Sequence, residues 1–183
     1  TVDRVDFVVG TQGEDQAMAA ATTAEKHKFL VYGGAQISVK VFEQGYKWFF
    51  LPMSTSDTFC EEAMAMLSQV NPKPKLVAIL EENTDIGGEY RRFGPPAAQK
   101  YGLNYVVVPY AMGAKDLTDV ILKMKSDGVD AVVGLPTMPD LILFLRQSKE
   151  LGFKPNIWIM PRGASAGEFY EVAGAEYGNN VCG

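Results

Sequence analysis

The stretch from Asp130 to Arg162 confines this chain to few architectures. It reads Asp-Ala-Val-Val-Gly-Leu-Pro, then an amphipathic run ending Leu-Arg-Gln-Ser-Lys-Glu-Leu-Gly-Phe-Lys-Pro, then Asn-Ile-Trp-Ile-Met-Pro-Arg. A short apolar run, a helix-length segment and a second apolar run make one strand-helix-strand unit. Gly152 stands where a helix ending at Leu151 needs a left-handed C′ residue. In open α/β sheets ligands bind outside the carboxyl ends of the strands. The second strand of this unit delivers a charged residue, Arg162, to that edge.

The same alternation extends along the chain. Strands are expected at Val5 to Gly10, Phe29 to Tyr32, Tyr46 to Leu51, Leu76 to Leu80, Tyr105 to Tyr110, Ala131 to Gly134, Ile157 to Met160 and Asn180 to Cys182. Helices are expected at Asp15 to His27, Asp57 to Val70, Gly88 to Tyr101, Lys115 to Ser126, Pro139 to Leu151 and, shorter, Ala166 to Val172. Thr58 and Glu61 have the spacing of a capping box at the start of the second helix. Residues 35–45 show no clean periodicity. Val- and Ile-rich strands separated by helices specify a doubly wound parallel sheet covered on both faces, a three-layer α/β fold. Right-handed crossovers place all the βα loops on one edge. From Leu76 onward there are enough such units for a lobe. Residues 1–45 hold too few strands for a second sheet, and read as the end of another lobe whose beginning lies outside this sequence.

Several functions are argued against. The 183 residues carry a net charge of −5, and the basic residues sit in short clusters mixed with acids, which is a solvated surface and no nucleic-acid footprint. No run approaches the ~20 apolar residues of a membrane span. Cys60 and Cys182 are far apart and read as two buried thiols, although a bridge is compatible with export. With no metal-ligand spacing and His27 as the single histidine, no metal site is expected. Gly10-Thr11-Gln12-Gly13 and Gly87-Gly88 lie in βα loops, but neither has the G-x-G-x-x-G or P-loop spacing that lets backbone approach phosphates. No cofactor is expected. Gly163-Ala-Ser165-Ala-Gly167 has a nucleophile-elbow spacing but no following long helix and no triad histidine. Glu81, Glu82 and Asp85 read as solvated acids after a strand. No catalytic residue is assigned.

What remains is a set of small and polar residues at successive strand ends: Thr11 and Gln12; Gly34, Ala35 and Gln36; Asp85 and Ile86; Thr137 and Met138; and Arg162. Gly and Ala leave backbone N–H groups open to a carboxylate, and Arg binds one through two parallel hydrogen bonds. Such a set suits binding a small polar molecule and offers nothing for transforming it.

The order of elements, with the residues themselves, resembles the type I periplasmic binding proteins, in the branched-chain amino acid receptor branch of ABC importers. The likeness is carried by Val5-Asp-Phe-Val-Val-Gly10, by Ala24-Glu-Lys-His-Lys-Phe-Leu-Val-Tyr-Gly-Gly-Ala35, by Tyr46 to Ser54, by Leu76 to Gly88, by Leu145 to Pro155 and by Phe169-Tyr-Glu-Val-Ala-Gly174. It covers essentially the whole sequence, about half of a family member. It implies the end of a first lobe at 1–45, a crossover or hinge at 46–55 and a second lobe at 56–183.

The resemblance also implies a function. A small ligand is gripped in the cleft between two lobes, which close on it, and the closed form is presented to a membrane permease outside the cytoplasm. The precursor would carry a signal peptide. Head-group contacts fall at Thr11 to Glu14 and Gly34 to Gln36, and second-lobe contacts at Asp85-Ile86-Gly87, Thr137-Met138 and the residue after Pro161. Two departures stand out: Gln12-Gly13-Glu14 replaces the family's usual serines, and Arg162 occupies a position often acidic in amino-acid receptors. Both favour an anionic ligand, an aliphatic or aromatic carboxylate, over an α-amino acid. The alternatives are a cytoplasmic ligand-sensing regulator with the same fold and, less favoured, a doubly wound α/β enzyme.

Overall fold

The structure, a computed structural model, describes residues 5–165 and 167–183. The chain divides into two compact units, Thr1–Phe59 and Cys60–Gly183.

In the first unit, β1 (Val8–Val9), β2 (Val31–Tyr32) and β3 (Phe49–Phe50) form a parallel sheet in that order. Helix α1 (Glu14–His27) crosses over from β1 to β2 and buries Ala17, Ala21 and Ala24. Their i, i+4, i+7 spacing makes a thin stripe, so the helix lies close on Val31 and Phe49 of the sheet. The unpatterned stretch after β2 contains one helical turn, α2 (Lys40–Glu43), which adds Val41 to this small core. The aromatic run Tyr46 to Leu51 supplies β3, paired with β2 and so the third strand of this sheet. Because successive strand residues face opposite ways, Val9, Tyr32 and Phe50 form one cross-strand row on the other face, and all three are exposed.

In the second unit, α3 (Ser56–Gln69) begins at the junction and leads to β4 (Val77–Glu82), α4 (Asp85–Lys100), β5 (Tyr105–Tyr110), α5 (Thr118–Ser126), β6 (Ala131–Val133), α6 (Met138–Glu150), β7 (Ile157–Ile159), α7 (Pro161–Ala164), α8 (Phe169–Gly178) and β8 (Val181–Cys182). The five strands are parallel, in the order β5-β4-β6-β7-β8. The apolar runs of β4 and β6 are wholly buried, as expected of inner strands of a two-sided sheet. One face packs Ala78, Leu80, Val108, Val132 and Trp158 against Leu117 at the N-cap of α5, Ile121 and Met124 of α5, Leu141, Phe144 and Leu145 of α6, and Phe169 of α8. Phe144 meets Tyr110 edge-on, ring centroids 5.1 Å apart. Helix α4 covers the opposite face, where Gly94 lets it settle on Ile79.

The fold is the expected doubly wound α/β arrangement with parallel sheets, and Gly152 closes α6 in the left-handed region at φ 64°. Four local expectations are corrected. Helix α3 starts at Ser56, so Thr58 lies inside it and caps nothing; Glu61 instead accepts from Lys100 and Tyr101. Strand β4 runs two residues beyond Leu80, which puts Glu81 and Glu82 on the strand and not in a solvated loop. Helix α4 starts at Asp85 and not Gly88, because the Thr84 hydroxyl accepts from Gly87 N at 3.3 Å and caps its first turn. The helix expected from Ala166 begins at Phe169; Ala166 itself lies outside the described residues. Cys60 and Cys182 are both thiols; Cys60 is buried but Cys182 is partly exposed.

Candidate functional site

The carboxyl edge of the first sheet is built from two loops tied to one another. Gln12 and Ala35 form a parallel bridge beyond the ends of β1 and β2. Ala35 N donates to Thr11 O at 3.1 Å, and Gly13 N donates to Ala35 O at 3.0 Å. This approach leaves no room for a side chain at position 34, where a Cβ would sit 2.5 Å from the Thr11 carbonyl. Thr11 adopts φ 92°, a conformation in which a β-branched residue is strained and which recurs at ligand clamps. Its hydroxyl is buried with no hydrogen-bond partner, and both amide atoms of Gln36, a residue 2% exposed, are likewise unpartnered. Buried polar atoms are rarely left unpaired in folded proteins. All five residues expected on this edge, Thr11, Gln12, Gly34, Ala35 and Gln36, therefore lie in two adjoining loops.

On the second sheet the edge is organised by Glu82, which the sequence reads as a solvated acid and the structure buries. Glu82 ends β4, 5% exposed. Its Oε1 accepts from the Thr84 hydroxyl at 2.8 Å and from Arg162 Nη1 at 3.2 Å, and its Oε2 accepts from the Tyr110 hydroxyl at 3.0 Å. Beside it lies Asp140, 3% exposed, which accepts from the Thr137 hydroxyl at 2.9 Å and from Gly113 N at 3.0 Å. Burial pushes the Tyr110 phenol well above its usual range, and the charge of Glu82 and its hydrogen bond, with the charge of Asp140, push it further; Arg162 opposes them. Tyr110 is thus held protonated as a donor to Glu82.

The five residues expected on this edge fall into different roles. Arg162 does not hang from a bare strand end but lies in the first turn of α7, with one nitrogen on Glu82 and a side chain 44% exposed. Thr137 caps α6, accepting from Asp140 N at 3.4 Å while donating to the Asp140 carboxylate. Met138 is half-buried and packs on the core below. Asp85 is exposed and Ile86 buried in the first turn of α4, which approaches β4 so closely that a Cβ on Gly87 would overlap the Glu82 backbone. Among the described residues no group of three or more His, Cys, Asp or Glu could hold a metal ion, and no helix is long and apolar enough to cross a membrane.

Parallel α/β units with capped helix starts and close-approach glycines gather polar side chains along the strand ends of both sheets. The profile of the periplasmic binding protein family matches residues 1–180, and the chain belongs to that family. A Leu/Ile/Val-binding protein homolog 7 of Brucella suis biovar 1 is 24% identical over 190 residues, which span 99% of this chain and 47% of that protein. This chain therefore spans about half the length of the curated relatives it matches. The branched-chain amino acid transporter substrate-binding protein LivJ of Streptococcus pneumoniae, solved with isoleucine, superposes with a TM-score of 0.81 at 19% identity, covering 99% of this chain and 51% of that one. A solute-binding protein of an ABC transporter from R. palustris, solved with 4-hydroxybenzoate, gives 0.79 at 14% identity over 94% and 48%. At these identities the structural likeness speaks for the fold alone.

Proposed function

We propose that this chain is part of an extracytoplasmic solute-binding receptor of an ABC importer. The receptor has no catalytic step; it takes a small carboxylate-bearing ligand, an amino acid or an organic or aromatic acid, and presents it to a membrane permease. The observation that carries this reading is the edge of the first sheet, where strained Thr11 and buried Gln36 hold a hydroxyl and a whole carboxamide without partners. Unpaired buried groups cost about 1–3 kcal/mol each, and a ligand supplying both an acceptor and a donor removes that cost on binding.

The same edge offers Gln12, Gly34 and Ala35, where small side chains leave backbone reachable by a carboxylate. On the second sheet Arg162 is the cation available to a ligand anion, with Asp85, Ile86, Thr137 and Met138 around the strand ends. Family membership supports the receptor role. Isoleucine and 4-hydroxybenzoate, the ligands of two structural neighbours, share a carboxylate joined to an apolar body, which supports the ligand class.

Calorimetric titration of the full-length protein with L-isoleucine and with 4-hydroxybenzoate tests this directly. At least one is expected to bind, and Gln36→Ala or Arg162→Ala to weaken that binding tenfold or more. Parent-like affinity in both variants would remove these residues from the site, and no binding of any small carboxylate would remove the function.

A further inference from the structure

Arg162 is neither idle nor fully committed. It gives Glu82 one hydrogen bond, through Nη1 at 3.2 Å, and its side chain remains 44% exposed. A guanidinium has five donors in a rigid fork, so the rest of the fork is available to a second acceptor. Glu82 does not depend on that one bond, since Thr84 and Tyr110 also donate to it from within the same unit. The carboxylate is thus a fixture of the strand end, and Arg162 is a cation whose charge is partly answered from inside the protein. Asp140, buried near the same tyrosine, adds a second negative charge and accepts from two neutral donors, Gly113 N and the Thr137 hydroxyl. A guanidinium already paired with one buried carboxylate, with a second carboxylate near the same tyrosine, does not make an anion trap.

We infer that Glu82 sets the charge selectivity of this edge: it anchors Arg162 and competes for it, so that a ligand carrying both signs is accepted while a plain anion is disfavoured. The inference rests on the reading that Arg162 meets the ligand. A ligand carboxylate takes the free side of the fork but also feels Glu82 and Asp140. An ammonium group on the same ligand is drawn to those carboxylates. Replacing Glu82 by its neutral isostere leaves acceptor and donor atoms for Thr84 and Tyr110, frees the guanidinium and removes one repelling charge. The last two effects move the preference toward the plain carboxylate.

The test is the ratio of dissociation constants of the full-length protein for L-isoleucine and 4-hydroxybenzoate. Glu82→Gln is expected to shift the ratio toward 4-hydroxybenzoate by about three- to fivefold, the upper part of the range for a partly exposed charge pair. Arg162→Gln, made at an exposed side chain so that folding is spared, is expected to shift it the opposite way by a similar factor. Glu81→Gln is the control: it removes the same charge one residue away, on the other sheet face, where Glu81 pairs with Arg91 at 2.7 Å. It is expected to leave the ratio within twofold. A purely structural Glu82 would change the melting temperature and not the ratio. If the parent binds the probes but neither Glu82→Gln nor Arg162→Gln moves the ratio, or both move it the same way, the inference is wrong while the receptor reading stands. If the parent binds neither of these nor any other small carboxylate, the receptor reading falls and this inference with it.

Discussion

Replacing Gln36 by methionine separates a binding residue from a structural one. Gln36 is 2% exposed and neither amide atom has a hydrogen-bond partner. Methionine has a similar length and volume, no strong donor or acceptor, and enough flexibility to follow the same space. Burial of an unpaired amide costs about 1–3 kcal/mol by protein mutational measures, so Gln36→Met is expected to stabilise the ligand-free protein by about 2 kcal/mol. For a protein of the relatives' length, about twice this chain, each kcal/mol moves Tm by about 1–2 °C, giving an upward shift of about 2–4 °C. With ligand present the order reverses, because the parent gains about 2.7 kcal/mol at a hundredfold excess over Kd and a variant that no longer binds gains nothing. Thermal melts of the two full-length proteins, with and without ligand, read both effects. A fall in Tm for ligand-free Gln36→Met would mean that the amide is satisfied in the fold, and would withdraw it from the site.

Gly87→Ala is expected to cost about 2 kcal/mol in urea unfolding: roughly 3 kcal/mol of overlap with the immovable Glu82 backbone, less about 1 kcal/mol of helix propensity. A gain in stability would show that the first turn of α4 stands off from β4. The Asp116 carboxylate accepts from the Thr118 hydroxyl at 2.6 Å, Thr118 N at 2.9 Å and Gln147 at 2.9 Å, which hold its pKa below the usual range, the Thr118 hydroxyl most of all. A depressed folded-state pKa stabilises above the unfolded value, about 3.9, and the benefit fades as pH falls through the folded one. The urea midpoints of the parent and Asp116→Asn are therefore expected to differ near pH 6 and to converge below pH 4, and a constant difference would argue against the shift.

The fold was legible because it rests on repetition. Val- and Ile-rich runs spaced by helices fix a parallel sheet whichever residue each strand ends on, and a left-handed position such as Gly152 announces itself. Strand ends were less legible. Acidic residues after an apolar run read as a loop, yet Glu82 continues the alternation of Ala78 and Leu80 and pairs in register with Tyr110. Counting that period two residues further would have found the carboxylate. Its partner Arg162 is 80 residues away, and no local pattern reports such a pair. An acid in a helix's first turn is ordinarily solvated, so nothing local marks Asp140, whose carboxylate accepts from Gly113 N. Arg162 was identified as a charge at the edge; its meaning changes once Glu82 stands beside it.

If the receptor recognises a carboxylate, thermal melts of the full-length protein with matched acid and amide pairs reveal it. L-isoleucine against L-isoleucinamide, and 4-hydroxybenzoate against 4-hydroxybenzamide, differ only in that group. At least one acid is expected to raise Tm with concentration, by several degrees at a hundredfold excess over Kd, while its amide does not. Equal stabilisation by acid and amide, or by neither, would contradict the account.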